Sequence, residues 1–238
     1  MLEQLVVILQ RPQDAVNVGA IVRAMKNMGI SHLRLVQPAP LADDVILRVA
    51  HHCEDLLARM TIQATLAEAL ADLHYVIGTT AVAHGGRAQT SDLRATAATI
   101  AAQLPHSRVG LLFGQEDDGL AQAALDRCHL LVTLPTNPAY PALNLAQAVL
   151  LLLYEVRMAV LADAAPPVSA PPVPVQQAEL DRLFHLSENT LAKIGFFKGN
   201  QVAVMRKVRQ IVYKAHLTPE EVALLMAMVR QVERATDR

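Results

Sequence analysis

Short runs of consecutive apolar residues punctuate the chain, with helical patterns between them. Leu5-Val6-Val7-Ile8-Leu9 is the first, and its unbroken β-branched character is that of a strand buried on both faces of a parallel sheet. His32 to Val36, Tyr75 to Thr79, Val109 to Phe113 and His129 to Leu134 repeat the pattern. After the first run, Ile21, Ala24, Met25 and Met28 recur at helical spacing. They predict a helix over Asn17–Gly29 with one apolar stripe and Gly29 at its end. Further helices are expected over about Asp44–Arg59, over Leu66–Leu73, from a Ser91 cap to Gln103, over Ala121–Arg127, and over the long apolar stretch Leu143–Val160. Strands alternating with helices imply an α/β fold with helices on both faces of a parallel sheet. Ligands of such sheets sit beyond the carboxyl ends of the strands. The three loops of distinctive composition, after Thr79, Phe113 and Leu134, all lie at that end.

The pattern changes after residue 163. Segment 164–175 carries Pro166, Pro167, Pro171, Pro172 and Pro174 and reads as a semi-rigid linker. It divides the chain into an α/β domain, 1–163, and a small helical domain, 176–238. In the latter, helices are expected over Gln176–Lys193 and Gln201–His216. A third opens at Thr218-Pro219-Glu220-Glu221 and runs to about Arg234, with Thr as cap, Pro in the first position and Glu in the third.

Charge follows the same division. Residues 1–165 hold 11 Lys and Arg against 15 Asp and Glu, whereas residues 176–238 hold 10 against 7. Arg206, Lys207, Arg209 and Lys214 cluster on the middle tail helix, as either a solvated face or a face for phosphates. The chain is 53% hydrophobic, which supports a well-filled core rather than disorder. Its longest uncharged stretch, Leu130 to Tyr154, is broken by Pro135, Pro138, Pro141 and two asparagines, and so makes a poor membrane span. Glu3 and Arg11 bracket an apolar run too short for a secretory leader. Cys53 and Cys128 lie in apolar patterns and suit a reducing compartment, so a cytoplasmic location is expected. His51, His52 and Cys53 are neighbours that point in different directions on a helix, and no metal site is expected.

The proline-rich stretch Leu134 to Asn144 opens the long apolar helix. Prolines stiffen it and remove N–H donors. Such a loop at a helix N-terminus either just shapes the connection or holds a polar small molecule. A dinucleotide-binding enzyme of Rossmann type is disfavoured, since no GxGxxG follows Leu9.

Three segments taken together carry a resemblance. Asn17-x-Gly19-Ala20-x-x-Arg23, Phe113-Gly114-x-Glu116-x-x-Gly119-Leu120 and Leu143-Asn144-Leu145-Ala146-Gln147-Ala148 resemble, in order and spacing, the three motifs of the SpoU branch of the SPOUT methyltransferases. With the proline-linked helical tail, nearly the whole chain resembles the TrmJ group of tRNA ribose methyltransferases. The resemblance implies a SPOUT fold with a parallel sheet and a C-terminal deep trefoil knot, a homodimer, and S-adenosyl-L-methionine as cofactor. It implies methylation of a ribose 2′-hydroxyl in RNA, most directly in the anticodon-loop region of tRNA, with neither DNA nor membrane as partner. Thr79, Thr80, Ala81, Gly114, Leu134, Pro141, Ala142 and Leu143 are then the cofactor contacts. Arg23 is the catalytic arginine facing the other subunit's cofactor, with Asn17, Glu116 and Asn144 as polar supports. Arginine is a very poor base at neutral pH, so orienting the nucleotide suits Arg23 better than taking its proton. Gly114 is expected to let the backbone approach the ligand. The dimer interface is expected on the motif helices, including the apolar face Leu145, Val149, Leu152 and Val156, for which burial in the chain's own core is the alternative.

The chain also departs from the family pattern. Ala142 stands where the third motif has Ser, and Val82 where the group tends to carry Arg, with Arg87 the nearby replacement. These changes motivate a second expectation, an RNA-binding member of the same fold with weak or absent catalysis.

Overall fold

The computed structural model describes residues 1–82, 84–162 and 175–236. Strands β1 (Leu5–Gln10), β2 (His32–Val36), β3 (Thr61–Gln63), β4 (Tyr75–Thr79), β5 (Gln89–Thr90), β6 (Val109–Phe113) and β7 (Leu130–Val132) form one sheet in the order β3-β2-β1-β6-β4-β7-β5. Every ladder is parallel. The first run of the chain is thus an inner strand of the sheet, and Leu5 to Leu9 are fully enclosed. The connecting helices are α1 (Ala15–Met28), α2 (Asp43–Val49), α3 (Glu54–Leu57), α4 (Leu66–Leu70), α5 (Leu93–Gln103), α6 (Gln122–Leu125) and α7 (Leu145–Ala162). Alternate strand residues face opposite layers. Leu5, Val7 and Leu9 pack with α1, α2, α5 and α7, whereas Val6 and Ile8 pack with α4 and α6.

Local chemistry sets the boundaries. Asp14 caps α1 by accepting the Val16 N–H at 2.8 Å, so the helix begins before Asn17, and Gly29 ends it at φ 75° as expected. The expected helix over Asp44–Arg59 is two helices, because the chain leaves the helical region at Ala50–Cys53, where His52 has φ 59°. Asp92, not Ser91, caps α5, accepting the Ala95 N–H at 2.9 Å. Strands β3 and β5 were not expected; both are very short and polar and sit at the sheet's edges.

The expected apolar dimer face of α7 is corrected. Val149, Leu152 and Val156 are completely buried and Leu145 nearly so, in the layer shared with α1 and α5. The exposed apolar side of α7 is Leu150, Leu151, Tyr154, Met158 and Leu161. By length and composition α7 could cross a bilayer, yet one side of it is core of the α/β layer.

The tail comprises α8 (Gln177–Lys193), α9 (Gln201–Ala215) and α10 (Pro219–Thr236). The expected start of α10 is present: Thr218 Oγ1 accepts the Glu221 N–H and the Glu221 carboxylate accepts the Thr218 N–H at 2.7 Å. Leu180, Leu183, Phe184, Tyr213 and Val222 form a small core of their own with Val175. The expected linker lies outside the described residues except for Val175. The tail docks on the body. The Gln177 N–H donates to Leu73 O at 2.6 Å, Arg127 pairs with Asp181 at 2.8 Å, and the rings of Tyr213 and His129 lie 4.3 Å apart. Two residues of the tail's basic cluster are engaged internally, Arg206 with Asp126 at 3.1 Å and Arg209 over the Phe184 ring. Lys207 and Lys214 are exposed.

Candidate active site

Strand order decides which loops meet. β6 lies between β1 and β4, and β7 lies on the far side of β4. The carboxyl ends of β4, β6 and β7 are therefore adjacent, and the loops after them enclose a cleft of about 420 Å³. All eight residues expected at the cofactor, Thr79, Thr80, Ala81, Gly114, Leu134, Pro141, Ala142 and Leu143, line it.

Each loop has a local reason for its shape. After β4, the Thr80 N–H continues the pairing with Val132 O at 3.0 Å, which holds this loop against the exit of β7. After β6, the chain folds back so that Gln115 bridges to Gly119, which has φ 66°. A Cβ on Gly114 would lie 2.0 Å from the Gly119 carbonyl carbon. Gly114 is therefore demanded by the return of its own chain, a different reason from the ligand approach expected from sequence. After β7, Asn137 folds the proline loop by accepting the Tyr140 N–H on its carbonyl and the Ala139 N–H on its side chain, at 2.8 and 3.0 Å. Thr136 Oγ1 donates to Pro141 O at 3.2 Å.

The polar motif residues form a chain along the rim. Asn144 caps α7, its Oδ1 accepting the Ala146 N–H at 2.9 Å, while its Nδ2 donates to Asn17 Oδ1 at 2.9 Å. Asn17 Nδ2 donates to Glu116 Oε1 at 3.2 Å. Glu116 also accepts the Gln13 and Asp14 N–H groups, at 3.1 and 3.3 Å, at the entrance of α1. A carboxylate there satisfies donors that the first turn leaves free and sits at the positive end of the helix dipole. Three segments far apart in sequence are thus one hydrogen-bonded unit. Gly19 serves the same placement, since a Cβ there would lie 2.8 Å from Val49 Cβ, where α2 crosses α1.

Arg23 is not brought into this cleft. It lies six residues beyond Asn17 on α1, exposed, with no hydrogen bond or ion pair to any described residue. Arg87 is corrected as the replacement for the missing loop arginine. Its side chain is 7% exposed and pairs with Asp126, which also holds Arg206, so it is turned toward the tail. Val82, by contrast, is 60% exposed at the cleft.

Sequence reasoning missed His84, Thr136, Asp117 and Asp118, which also line the cleft. Their position in the carboxyl-end loops was the available signal. Among the described lining residues the charged groups are Glu116, Asp117 and Asp118, with no lysine or arginine. The thiols are not reactive groups here. Burial raises the pKa of both, that of Cys128 to about 12, as their apolar patterns suggest.

Residues 4–154 match the model of the SpoU rRNA Methylase family. The chain is 34% identical over 239 residues to the tRNA (cytidine/uridine-2′-O-)-methyltransferase TrmJ of Klebsiella pneumoniae subsp. pneumoniae, covering 98% of both proteins. It is 32% identical over 241 residues to the protein of the same name from Pectobacterium atrosepticum, covering all of both. Among solved structures, TrmJ from Z. mobilis ZM4 superposes with a TM-score of 0.83 at 31% identity, over 96% of this chain and 98% of that one.

Proposed function

Because the chain belongs to the SpoU rRNA Methylase family, we propose that it methylates the ribose 2′-hydroxyl of a nucleotide in tRNA, in the anticodon-loop region, with S-adenosyl-L-methionine as methyl donor. The observation that carries this reading is the convergence of all eight expected cofactor residues and the Asn144–Asn17–Glu116 chain on one cleft. Relatives named as tRNA 2′-O-methyltransferases align along essentially the whole chain.

The residues fit the cofactor. Glu116, Asp117 and Asp118, with no cation among the described lining residues, suit a ligand that carries a sulfonium and an amine. Thr79, Thr80 and Ala81 on one side and Leu134, Pro141, Ala142 and Leu143 on the other hold it. Phe113, Leu120 and Leu145 supply apolar lining. When bound, the cofactor supplies an electrophilic methyl group on sulfur. Asn17, Glu116 and Asn144 hold the loops after β6 and β7 in register with the entrance of α1, so that this side of the cleft is preorganised.

Among the described lining residues the same cleft has no lysine or arginine to hold a nucleotide's phosphate, and Arg23 is an exposed cation without a partner among the described residues. These two facts support a homodimer in which Arg23 of one subunit orients the nucleotide at the other's cofactor. The exposed apolar side of α7, Leu150, Leu151, Tyr154, Met158 and Leu161, is the surface such a dimer buries. The trefoil knot belongs to the same proposal, which the entry of β6 between β1 and β4 and the return of α7 against α1 and α5 support. A cytoplasmic location and the division at 164–175 into a methyltransferase domain and a helical domain belong to it as well.

The test is transfer of labelled methyl from S-adenosyl-L-methionine to unmodified tRNA, with Arg23→Ala alongside. Incorporation by the wild type and its loss by at least about 100-fold in the variant, with cofactor affinity retained, is the expected result. The second reading, an RNA-binding relative without turnover, is favoured by Val82 and Ala142 together with the engagement of Arg87 by Asp126. Cofactor and tRNA binding without incorporation establishes it.

A further inference from the structure

The end of β4 and the loop after it carry three of the eight expected cofactor residues, Thr79, Thr80 and Ala81, and line the cleft further with Val82 and His84. Ala81 and Val82 are exposed, so packing gives this wall of the cleft little hold. Arg87, further along the same connection, is taken up by Asp126 on the side of the tail. The hold on the wall comes instead from β5, at the edge of the sheet.

Gln89 opens β5 and is not among the residues that line the cleft. Its side-chain Oε1 accepts the His84 N–H at 2.9 Å. Its Nε2 donates to Val82 O at 3.0 Å and to Thr133 Oγ1 at 2.8 Å. Two backbone partners fix which end of the amide is which, since an N–H only donates and a carbonyl only accepts. Both amide hydrogens are therefore used, and the amide oxygen meets a backbone donor. Thr133 follows β7, and its N–H donates to Thr90 O at 2.9 Å, so the anchor is part of the sheet. One amide thus joins β5, the exit of β7 and the loop after β4. From there the hold reaches an expected cofactor residue: His84 Nε2 and the Val82 N–H lie 3.0 and 3.2 Å from Thr80 Oγ1.

We infer that Gln89 is a positioning residue for the cofactor, holding Thr80, Val82 and His84 as one wall of the cleft without touching the ligand itself. This rests on the function proposed above for the identity of the ligand, S-adenosyl-L-methionine. A loop that is closed only part of the time binds its ligand more weakly, in proportion to the closed fraction. Hydrogen bonds of ordinary net worth make that fraction sensitive to a single amide. The amide has no close substitute. Glu has the same length but, when ionised, turns an acceptor toward Val82 O, where a donor is needed. Asn has the same groups but is one methylene shorter.

Calorimetric titration of the full chain with S-adenosyl-L-methionine tests this, with Gln89→Ala and Gln89→Glu beside the wild type. Both variants are expected to bind about tenfold more weakly, Glu no better than Ala despite its length. tRNA affinity measured without cofactor is expected to stay at the wild-type value, and the denaturation midpoint to move little. In methyl transfer the loss should fall on the KM for the cofactor, with kcat at saturation within about threefold of the wild type. Hydrogen exchange should show the His84 amide opening at least about tenfold faster in Gln89→Ala, with protection restored when cofactor saturates the protein. Thr133→Val should weaken cofactor binding by about threefold and add nothing in combination with Gln89→Ala. Wild-type cofactor affinity in both Gln89 variants overturns the inference, as does an unchanged His84 amide. A loss shared equally by tRNA affinity and the denaturation midpoint also overturns it, since Gln89 would then serve the fold alone. A wild type that binds no S-adenosyl-L-methionine removes the proposed function and this role with it. A wild type that binds it beside unaffected variants removes only the role of Gln89.

Discussion

The rim of the cleft and the dock between body and tail hold distant parts of the chain together by opposite means. At the rim, exposed Asn144 and half-buried Asn17 and Glu116 are joined by hydrogen bonds that water or a ligand can replace group for group. At the dock, rings do the holding. His129 lies 4.9 Å from Tyr75 and 4.3 Å from Tyr213, and its Nδ1 accepts the Val76 N–H at 3.1 Å. Desolvation there, with His216 nearby, pushes the His129 imidazole down to about 3. A cleft built the first way can exchange solvent for substrate without opening the core. A dock built the second way is firm while its histidine is neutral and weakens when that histidine must be charged.

The strongest way to break the comparison is at the one point where the cleft has no freedom. Gly114→Ala places a Cβ 2.0 Å from the backbone of Gly119, which no side-chain movement relieves. It should cost about 3 kcal/mol, read as a lower denaturation midpoint, and should abolish cofactor binding, read by calorimetry. A variant of normal stability and affinity would mean that the turn is far softer than its geometry implies.

Acid should act at the dock first. The unfolded imidazole of His129 titrates near 6.5 and the folded one at about 3. Above pH 6.5 both states are neutral and the dock has its full stability. As pH falls below that, only the unfolded chain takes the proton, so stability drops by about 1.4 kcal/mol per unit until about pH 3. His74, lowered chiefly by burial, acts in the same direction. Unfolding free energies from urea curves at pH 6.5 and 5 should therefore differ by about 2 kcal/mol, and His129→Gln should remove most of the difference. An unchanged slope in that variant would place the acid sensitivity elsewhere.

The smallest effect should come from the partly exposed ion pair that also spans the dock. Arg127→Ala removes the partner of Asp181, and both are about one-third exposed. A loss of under about 1 kcal/mol, shrinking as salt is added, is expected from unfolding curves. A larger loss would mean that charge rather than ring packing holds the tail.

Much of this was legible along the chain because the information is local. Continuous apolar runs marked β1, β4 and β6 within a residue, and Thr218 with Glu221 marked the start of α10. The polar-edged β3 and β5 carry too few residues for any period, and they exist only because a neighbouring strand offers its edge. α7 fails for the reverse reason. It is apolar nearly all round, so its periodicity selects no face, and the side chosen for a partner proved to be core. Arg87 was readable as a cation near the cleft. Its burial against Asp126 depends on a residue 39 positions away, and on a tail whose position no local pattern specifies.

The sequence by itself determined most of the elements, the end of the sheet at which chemistry belongs, and, through its three motifs, the family and the eight expected cofactor residues that line the cleft. Only the tertiary structure decided that Glu116 holds the entrance of α1, that Gly114 serves its own turn, that Arg23 is not part of the cleft lining of its own chain, and that His84 is. The physical reason is the same for each. Helix and strand patterns follow from short-range periodicity and sterics. Which loops and faces meet follows from strand order, here from β6 entering between β1 and β4, and that order is settled by burial and pairing among residues far apart in the chain.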